Sequence, residues 1–276
     1  VPEFVSKLDS KSGDDLKTAV LLYLGQAELD NIVQTLLDNW ESLPGSVKKL
    51  AKELVKQHKG QTSAPDIALF GRMLAEQPEL GLDAACQVAH AISTHRVTME
   101  MDFYTAVDDL KADDTAGAGM MGFTGFDSAC FYRYARIDWK QLVKNLNNDA
   151  DLARSAVEGF LRASVAAVPS GKQNSFAANN PPSFLLAVVR QDGMGWSLAN
   201  AFERPVYARG DSGLVAPSVA ALDAYWGRLC EIYGTDPLAD VAALALEPDL
   251  SLEKLSEHRV DTLNAWVSAV TVALPA

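Results

Sequence analysis

The chain has 276 residues, enough to bury a substantial core as one large domain or two small ones. Its hydrophobic content of 48% is typical of a globular protein, and its net charge of −12 argues against a freestanding basic nucleic-acid-binding domain. Three widely spaced cysteines, Cys86, Cys130 and Cys230, exclude a disulfide framework and indicate a reducing, cytoplasmic setting. We find no signal peptide and no apolar run long enough to span a bilayer, so no membrane partner is expected.

The first elements are predicted to be helical. Residues 1–17 are polar, and Thr18–Leu24 could form a short strand or the first turns of a helix. Gln26–Leu43 is predicted to be an amphipathic helix. Pro44 and Gly45 should end it, and Ser46 should cap a second helix from Val47 to about His58. The apolar face of the first helix consists of Leu29, Ile32, Val33, Leu36, Leu37 and Trp40.

The second helix should carry a basic surface. Its lysines recur at helical spacing on one side, and its apolar residues line another side. A solvated helix face explains this pattern most simply. The alternative is a surface that contacts phosphates, since ammonium groups attract any nucleic-acid backbone. The lysines are Lys48, Lys52, Lys56 and Lys59, and the apolar residues are Leu50, Ala51, Leu54 and Val55.

Extended segments dominate the middle of the chain. Asp66–Met73 is predicted to be a strand that ends at Gly71, and Ala84–His95 fits either a strand or a helix. Arg96–Val107 and the aromatic-rich Ser128–Ile137 are predicted to be extended.

A glycine-rich segment lies between them, within Met99–Phe126. Glycines at this density keep the backbone flexible, and large apolar side chains alternate with them. The segment is either ordered by a binding partner or forms a hairpin packed on its own domain. The glycines are Gly117, Gly119, Gly122 and Gly125, and the apolar residues are Met120, Met121, Phe123 and Phe126.

The remaining residues alternate helices and strands. Asp138 should cap a short helix to Leu146, and Asp149 or Asp151 should open a longer helix that ends before Pro169. A loop, Pro169–Ser183, leads to a predicted strand at Phe184–Arg190. The last predicted elements are a mixed segment, Ser197–Tyr207, and two helices, Val219–Tyr233 and Leu252–Val270. This order favours the α+β class with an antiparallel sheet.

No catalytic, metal or cofactor site emerges from the sequence. His90 and His95 are five residues apart, which misaligns them on a helix or a strand, so structural histidines are favoured. Aspartates at 108, 109, 113 and 114 could bind Mg²⁺, but adjacent aspartates before glycines usually form turns. Cys86 lies near His90, but no third residue completes a nucleophilic set.

Six segments occur in one order and together carry a family resemblance. They are DIALFGRM at 66–73, QVAHAISTHRV at 87–97, DFYTAVDDL at 102–110, CFYRYARID at 130–138, VPSGKQNSFAANNPP at 168–182 and SLANAFERPV at 197–206. Together they resemble the CasC family, the repeated backbone subunit of the type I-E CRISPR surveillance complex, Cascade. The resemblance extends from about residue 45 to the C-terminal helices.

The resemblance implies a modified ferredoxin-like (RRM-like) palm, a helical finger region and a hairpin thumb. Residues 1–65 would form the finger region, and 66–276 the palm with a thumb insertion at about 100–127. The subunit would be a non-catalytic scaffold whose copies stack along a CRISPR guide RNA, beside other Cascade subunits and target DNA. The family's basic opening segment is not found here, so we expect Val1 to lie within a longer or processed protein.

The resemblance also implies site residues. The expected RNA contacts are Arg72, Met73, Tyr104, Thr105, Met121, Lys172 and Gln173, and the expected DNA contacts are Lys48, Lys49, Lys52 and Lys56. Met73 would be wedged between bases, and Tyr104, Thr105 and Met121 would approach one kinked nucleotide. Two alternatives are a metal-dependent ribonuclease of the same superfamily using Asp108 and Asp109, and an acidic oligomerisation module without nucleic acid.

Overall fold

The computed structural model describes residues 21–74, 77–106, 120–208, 213–248 and 250–275. The helices in these ranges are α1 Gln26–Asp38, α2 Leu43–Gln57, α3 Pro65–Phe70, α4 Trp139–Asn145, α5 Ala150–Ala166, α6 Gln173–Phe176, α7 Val215–Tyr233 and α8 Leu263–Ala273. The strands are β1 Cys86–Val88, β2 Ile92–Ser93, β3 Glu100–Ala106, β4 Met120–Phe126, β5 Phe131–Tyr132, β6 Ala135–Ile137, β7 Phe184–Arg190 and β8 Leu238–Ala245.

The strands pair as antiparallel ribbons, which confirms the predicted α+β class. The pairs are β1 with β6, β2 with β5, β3 with β4, and β7 with β8. The first two pairs continue one another, because the Ala89 N–H donates to the Tyr134 carbonyl at 2.9 Å between them. This interrupted ribbon leads directly into the β3–β4 hairpin, so the hairpin projects from the sheet that Ala84–His95 and Ser128–Ile137 build. Both segments are therefore extended, and the helical alternative for Ala84–His95 is wrong.

The helices cover the ribbons and form the core. Ala153, Ala156 and Val157 of α5 pack in one cluster with Cys86 of β1, and Ala187 and Val189 of β7 lie against it. Trp226 of α7 and Trp266 of α8 pack on opposite faces of β8. A separate cluster joins Ala51, Leu54 and Val55 of α2 to Leu74 and Leu80. Burial of these apolar side chains is the main force holding the elements together.

Helix caps place two helices where the sequence predicted them. The Asp138 carboxylate accepts the Gln141 N–H at 3.0 Å, and α4 follows it. The Asp149 carboxylate accepts the Leu152 N–H at 2.8 Å, and α5 follows it to Ala166. Each bond satisfies one of the amide groups that a helix leaves unpaired at its N-terminus. The predicted strand at Phe184–Arg190 is confirmed with the same bounds.

The predicted strand at Asp66–Met73 is wrong, because Pro65–Phe70 forms helix α3. Pro65 occupies the first helical position, where its missing N–H costs nothing. Gly71 ends the helix with a φ of 81°, a conformation that glycine adopts without strain. Because the apolar run is short, its periodicity did not distinguish a helix from a strand.

Several helix boundaries and one strand also differ from the predictions. Helix α1 ends at Asp38 rather than Leu43, so Pro44 and Gly45 do not end it but lie in the first turn of α2. Helix α7 begins at Val215 rather than Val219.

The second helix begins at Leu43, and Ser46 lies inside its first turn, where its hydroxyl donates to the Ser42 carbonyl rather than capping. The final helix spans only Leu263–Ala273, because the preceding residues form a loop.

Buried Asp223 holds that loop, since its carboxylate accepts the N–H groups of Glu253, Lys254 and Leu255. Strand β8 was not predicted.

Within the described part of the chain, no helix combines the length and apolarity needed to cross a membrane.

Candidate nucleic-acid interface

The β3–β4 hairpin presents two different faces. Its register places Tyr104 opposite Gly122, Phe103 opposite Phe123 and Thr105 opposite Met121. Side chains alternate between the faces of a strand, and directly opposed residues share a face. One face therefore carries Asp102, Tyr104, Thr124 and Phe126, and the other carries Met101, Phe103, Thr105, Met121 and Phe123.

The first face and helix α6 enclose a groove of about 310 Å³. Its lining comes from the hairpin, from α6 and from the residue that precedes α6. The hairpin residues are Asp102, Tyr104, Thr124 and Phe126, those of α6 are Ser175 and Phe176, and the preceding residue is Lys172. The rings of Phe126 and Phe176 lie 5.4 Å apart and join the hairpin to α6. The groove thus brings together Tyr104 and Lys172, which are 68 residues apart in the sequence and were both predicted to contact RNA.

The backbone of α6 sets the position of Lys172. Lys172 precedes the helix with a φ of 58°, in the left-handed region, and its side chain is exposed. Gln173 turns inward instead: its side-chain amide donates to the Pro169 carbonyl at 2.8 Å. The Gln173 amide oxygen is enclosed without a hydrogen-bond partner in the structure. Of these two predicted contacts, only Lys172 therefore has an accessible side chain suited to a phosphate.

The opposite face of the hairpin is apolar and exposed. The Phe103 and Phe123 rings pack against each other with centroids 5.4 Å apart. Met121, at 64% exposure, lies beside them, and Thr105 is its cross-strand neighbour. The structure therefore separates Tyr104 from Thr105 and Met121 by the thickness of the hairpin. A nucleotide inside the groove can contact Tyr104 without contacting Met121.

In the FGRM motif, the Met73 side chain is exposed and the Arg72 side chain is buried. Met73 is 91% exposed, as a side chain that inserts between bases must be. The Arg72 side chain is only 1% exposed, and its guanidinium pairs with the Glu28 carboxylate at 2.8 Å. Protein acceptors therefore occupy Nε and Nη1 of the guanidinium, and a direct contact of Arg72 with RNA stays a prediction. No local pattern around Arg72 indicated this partner, which lies 44 residues away in the chain.

The lysine surface on α2 has the predicted geometry except at Lys59, which lies beyond the end of the helix at Gln57. Leu50, Ala51, Leu54 and Val55 are buried, which confirms the apolar side of the helix. Lys48, Lys49, Lys52 and Lys56 are exposed on the outer side. Lys49 forms an ion pair with Glu53 at 3.9 Å, an exposed contact of small energetic value. The surface therefore remains a candidate for phosphate contacts.

His95 and Cys86 take structural positions, whereas His90 is exposed. His95 accepts the Cys130 N–H at Nε2 (3.2 Å), so Nδ1 carries the proton and donates to the Arg96 carbonyl at 3.0 Å. Burial raises the pKa of the Cys86 thiol to about 11, which suits a core residue rather than a nucleophile. Among the residues that the structure describes, no group of three or more His, Cys, Asp or Glu side chains could hold a metal. Asp108, Asp109, Asp113 and Asp114 lie outside those residues.

Comparisons with known proteins point in one direction. Residues 3–269 match the family described as CT1975-like protein, a CRISPR-associated family. A chain of a solved structure titled "CRISPR RNA-guided surveillance complex, pre-nicking" is 33% identical with a TM-score of 0.78, covering 97% of this chain and 72% of that one. A chain of a "CRISPR RNA-guided surveillance complex" is 39% identical with a TM-score of 0.66, covering 76% of this chain and 78% of that one. No curated protein matches significantly. The structural similarity also confirms the expected fold class, a modified ferredoxin-like palm.

Proposed function

The chain belongs to the CT1975-like protein family, and we propose that it is an RNA-binding scaffold subunit of a CRISPR surveillance complex. We place that complex in type I-E, because the ordered motifs resemble the CasC family. The subunit is non-catalytic: it positions a guide RNA for pairing with target DNA and leaves the RNA intact.

The observation that carries this proposal is the groove between the hairpin and α6. Tyr104 offers an aromatic face on one side, and Lys172 offers a positive charge on the other. Aromatic rings stack on any base, and an ammonium group attracts any phosphate. Such a groove binds a nucleic-acid strand without reading its sequence, as a subunit that serves many different guides requires.

Met73 and the outer face of the hairpin extend the interface. Met73 projects into solvent and can separate two stacked bases as an apolar wedge. Met101, Phe103, Met121 and Phe123 form an exposed apolar surface that a neighbouring copy of the subunit would cover. In this arrangement, each hairpin closes over RNA on its groove face and contacts the next subunit on its outer face.

Target DNA is assigned to the lysine surface of α2. Four lysines on one helix create a locally positive surface in a protein whose net charge is −12. Contacts of this kind carry no sequence information and weaken with added salt.

The experiment that tests this function is a titration of end-labelled RNA of guide length with the purified protein, in the presence of Mg²⁺ or Mn²⁺. A scaffold binds the RNA and leaves its length unchanged, and the same result is expected in EDTA. Metal-dependent shortening of the RNA would instead support the ribonuclease that uses Asp108 and Asp109. Absence of binding at low salt would contradict an RNA-binding role.

A further inference from the structure

The buried Arg72 guanidinium makes contacts with three separate parts of the chain. Its Nε donates to the Leu80 carbonyl at 3.0 Å, and its Nη1 donates to the Tyr23 carbonyl at 3.2 Å. The same Nη1 donates to the Glu28 carboxylate at 2.8 Å. These bonds hold the side chain by its charge and by its planar shape, which lysine cannot reproduce.

Glu28, the partner of Arg72 in this ion pair, is buried as well. Its side chain is 2% exposed, and one carboxylate oxygen also accepts the Gly25 N–H at 2.8 Å. Nδ1 of His58, at the end of α2, lies 4.0 Å from the other oxygen. Glu28 therefore connects α1 and the lysine-bearing α2 to Arg72. Removing one partner of a buried ion pair leaves an uncompensated charge, so both residues must be present for the segment to keep its place.

The backbone around Arg72 is equally constrained. Arg72 N–H donates to the Leu82 carbonyl at 2.9 Å, and Leu82 N–H donates back at 2.8 Å. At Gly71, whose φ is 81°, a Cβ would lie 2.8 Å from the Leu82 carbonyl oxygen, so the two segments approach as closely as a glycine permits. On the other side of Met73, Leu74 is buried in the cluster with α2. Met73 thus projects from a short segment that is fixed on both sides.

We propose that Glu28 is a positioning residue for Met73, acting through Arg72. This inference rests on the proposed function, in which Met73 contacts the RNA. An exposed methionine side chain has three freely rotating bonds. It can therefore insert between bases effectively only if the backbone already directs it towards the RNA. The Glu28–Arg72 pair supplies that orientation and joins the guide-facing segment to the helix that carries the lysine surface.

A double-mutant cycle tests the inference. Glu28→Gln, Met73→Ala and the double variant are titrated with guide-length RNA, and the thermal midpoint of each is measured. We expect Glu28→Gln to weaken RNA binding about threefold to tenfold in the parent, the range typical of residues that act as a unit. In the Met73→Ala background it should weaken binding no further, although it should still lower the thermal midpoint. Glu79→Gln is the matched control, because its exposed pair with Lys59 should leave RNA affinity unchanged.

Equal losses of affinity from Glu28→Gln in both backgrounds would overturn the inference, since a structural role alone acts independently of Met73. If Glu28→Gln does not fold, Arg72→Lys is used in the same cycle. Lysine keeps the positive charge at position 72 but cannot make the hydrogen bonds to Leu80, Tyr23 and Glu28 together. An unchanged affinity of Met73→Ala would remove Met73 from the interface and would also overturn the inference. The proposed function would survive that result if Lys172 variants still lost RNA binding.

Discussion

Tyr104 faces Gly122 across the β3–β4 hairpin, and its ring occupies the space in which a side chain at position 122 would lie. A Cβ built on Gly122 would be 2.5 Å from both Cζ and the hydroxyl oxygen of Tyr104. The glycine therefore allows the ring to lie flat across the neighbouring strand, beside the groove that it shares with Lys172. At this position the absence of a side chain serves the packing of an aromatic ring rather than backbone flexibility.

Gly122→Ala should weaken RNA binding about tenfold, because the added methyl group displaces the Tyr104 ring. Stacking of a base on an aromatic side chain contributes about 1–3 kcal/mol, and a displaced ring loses part of it. A fluorescence titration with labelled RNA measures the change.

Gly159→Ala adds the same methyl group where no atom lies within 4 Å, on the exposed side of α5. It should leave RNA affinity unchanged and raise the free energy of unfolding by about 0.5–1 kcal/mol, since glycine destabilises a helix interior. RNA affinity of Gly122→Ala equal to that of Gly159→Ala would show that Tyr104 does not stack on the RNA.

Lys172→Gln should weaken binding to RNAs of every sequence by a similar factor. Its ammonium group neutralises one phosphate, so the slope of log affinity against log salt concentration should fall by roughly one unit. Titrations at several salt concentrations give that slope. Lys140→Gln, an exposed lysine on α4 outside the groove, provides the control. If the two variants have the same slope, Lys172 does not contact the backbone.

Replacing Lys52 and Lys56 together by glutamine should lower the affinity of the RNA-loaded complex for target DNA. Both side chains are exposed on α2, away from its buried apolar side. The salt slope for DNA should fall by up to about two units, while the affinity for guide RNA stays the same. Unchanged DNA binding would favour the simpler interpretation of these lysines as a solvated helix face.

Cys86 should resist thiol reagents at pH 8 in the folded protein. Burial raises the pKa of its thiol to about 11, so the reactive thiolate is scarce. A thiol whose folded pKa is raised contributes stability below the unfolded pKa, near 9, and that contribution is lost as the pH rises towards 11. The stability of the parent should therefore decline between pH 9 and 11 more than that of Cys86→Ala. Rapid labelling of Cys86 at pH 8 would contradict this.

Local signals in the sequence predicted much of the fold. Asp138 identified one helix start, and the alternatives Asp149 and Asp151 identified another, which the structure resolves to Asp149; a cap acts within three residues of itself. The spacing of the apolar residues in α2 identified its buried side, because this pattern is also local to the helix. The short run in α3 was misassigned because six helical residues are too few for a clear period.

Contacts between distant segments were beyond sequence reasoning. Nothing near Arg72 in the sequence indicates that Glu28 will pair with its guanidinium, because the ion pair joins α1 to a distant segment that follows α3. The meeting of Tyr104 with Lys172 depends in turn on the Phe126–Phe176 contact between the hairpin and α6. The family resemblance also implied that Tyr104, Thr105 and Met121 approach one nucleotide, whereas strand alternation puts them on two faces of the hairpin.

Purification from cells shows directly whether this subunit holds a guide RNA. The protein is isolated together with its partner subunits, and the small RNA it carries is extracted and sequenced. We expect a bound population of small RNAs of uniform length, derived from a CRISPR array and lost when Tyr104 and Lys172 are both replaced. A purified complex that carries no small RNA would contradict it.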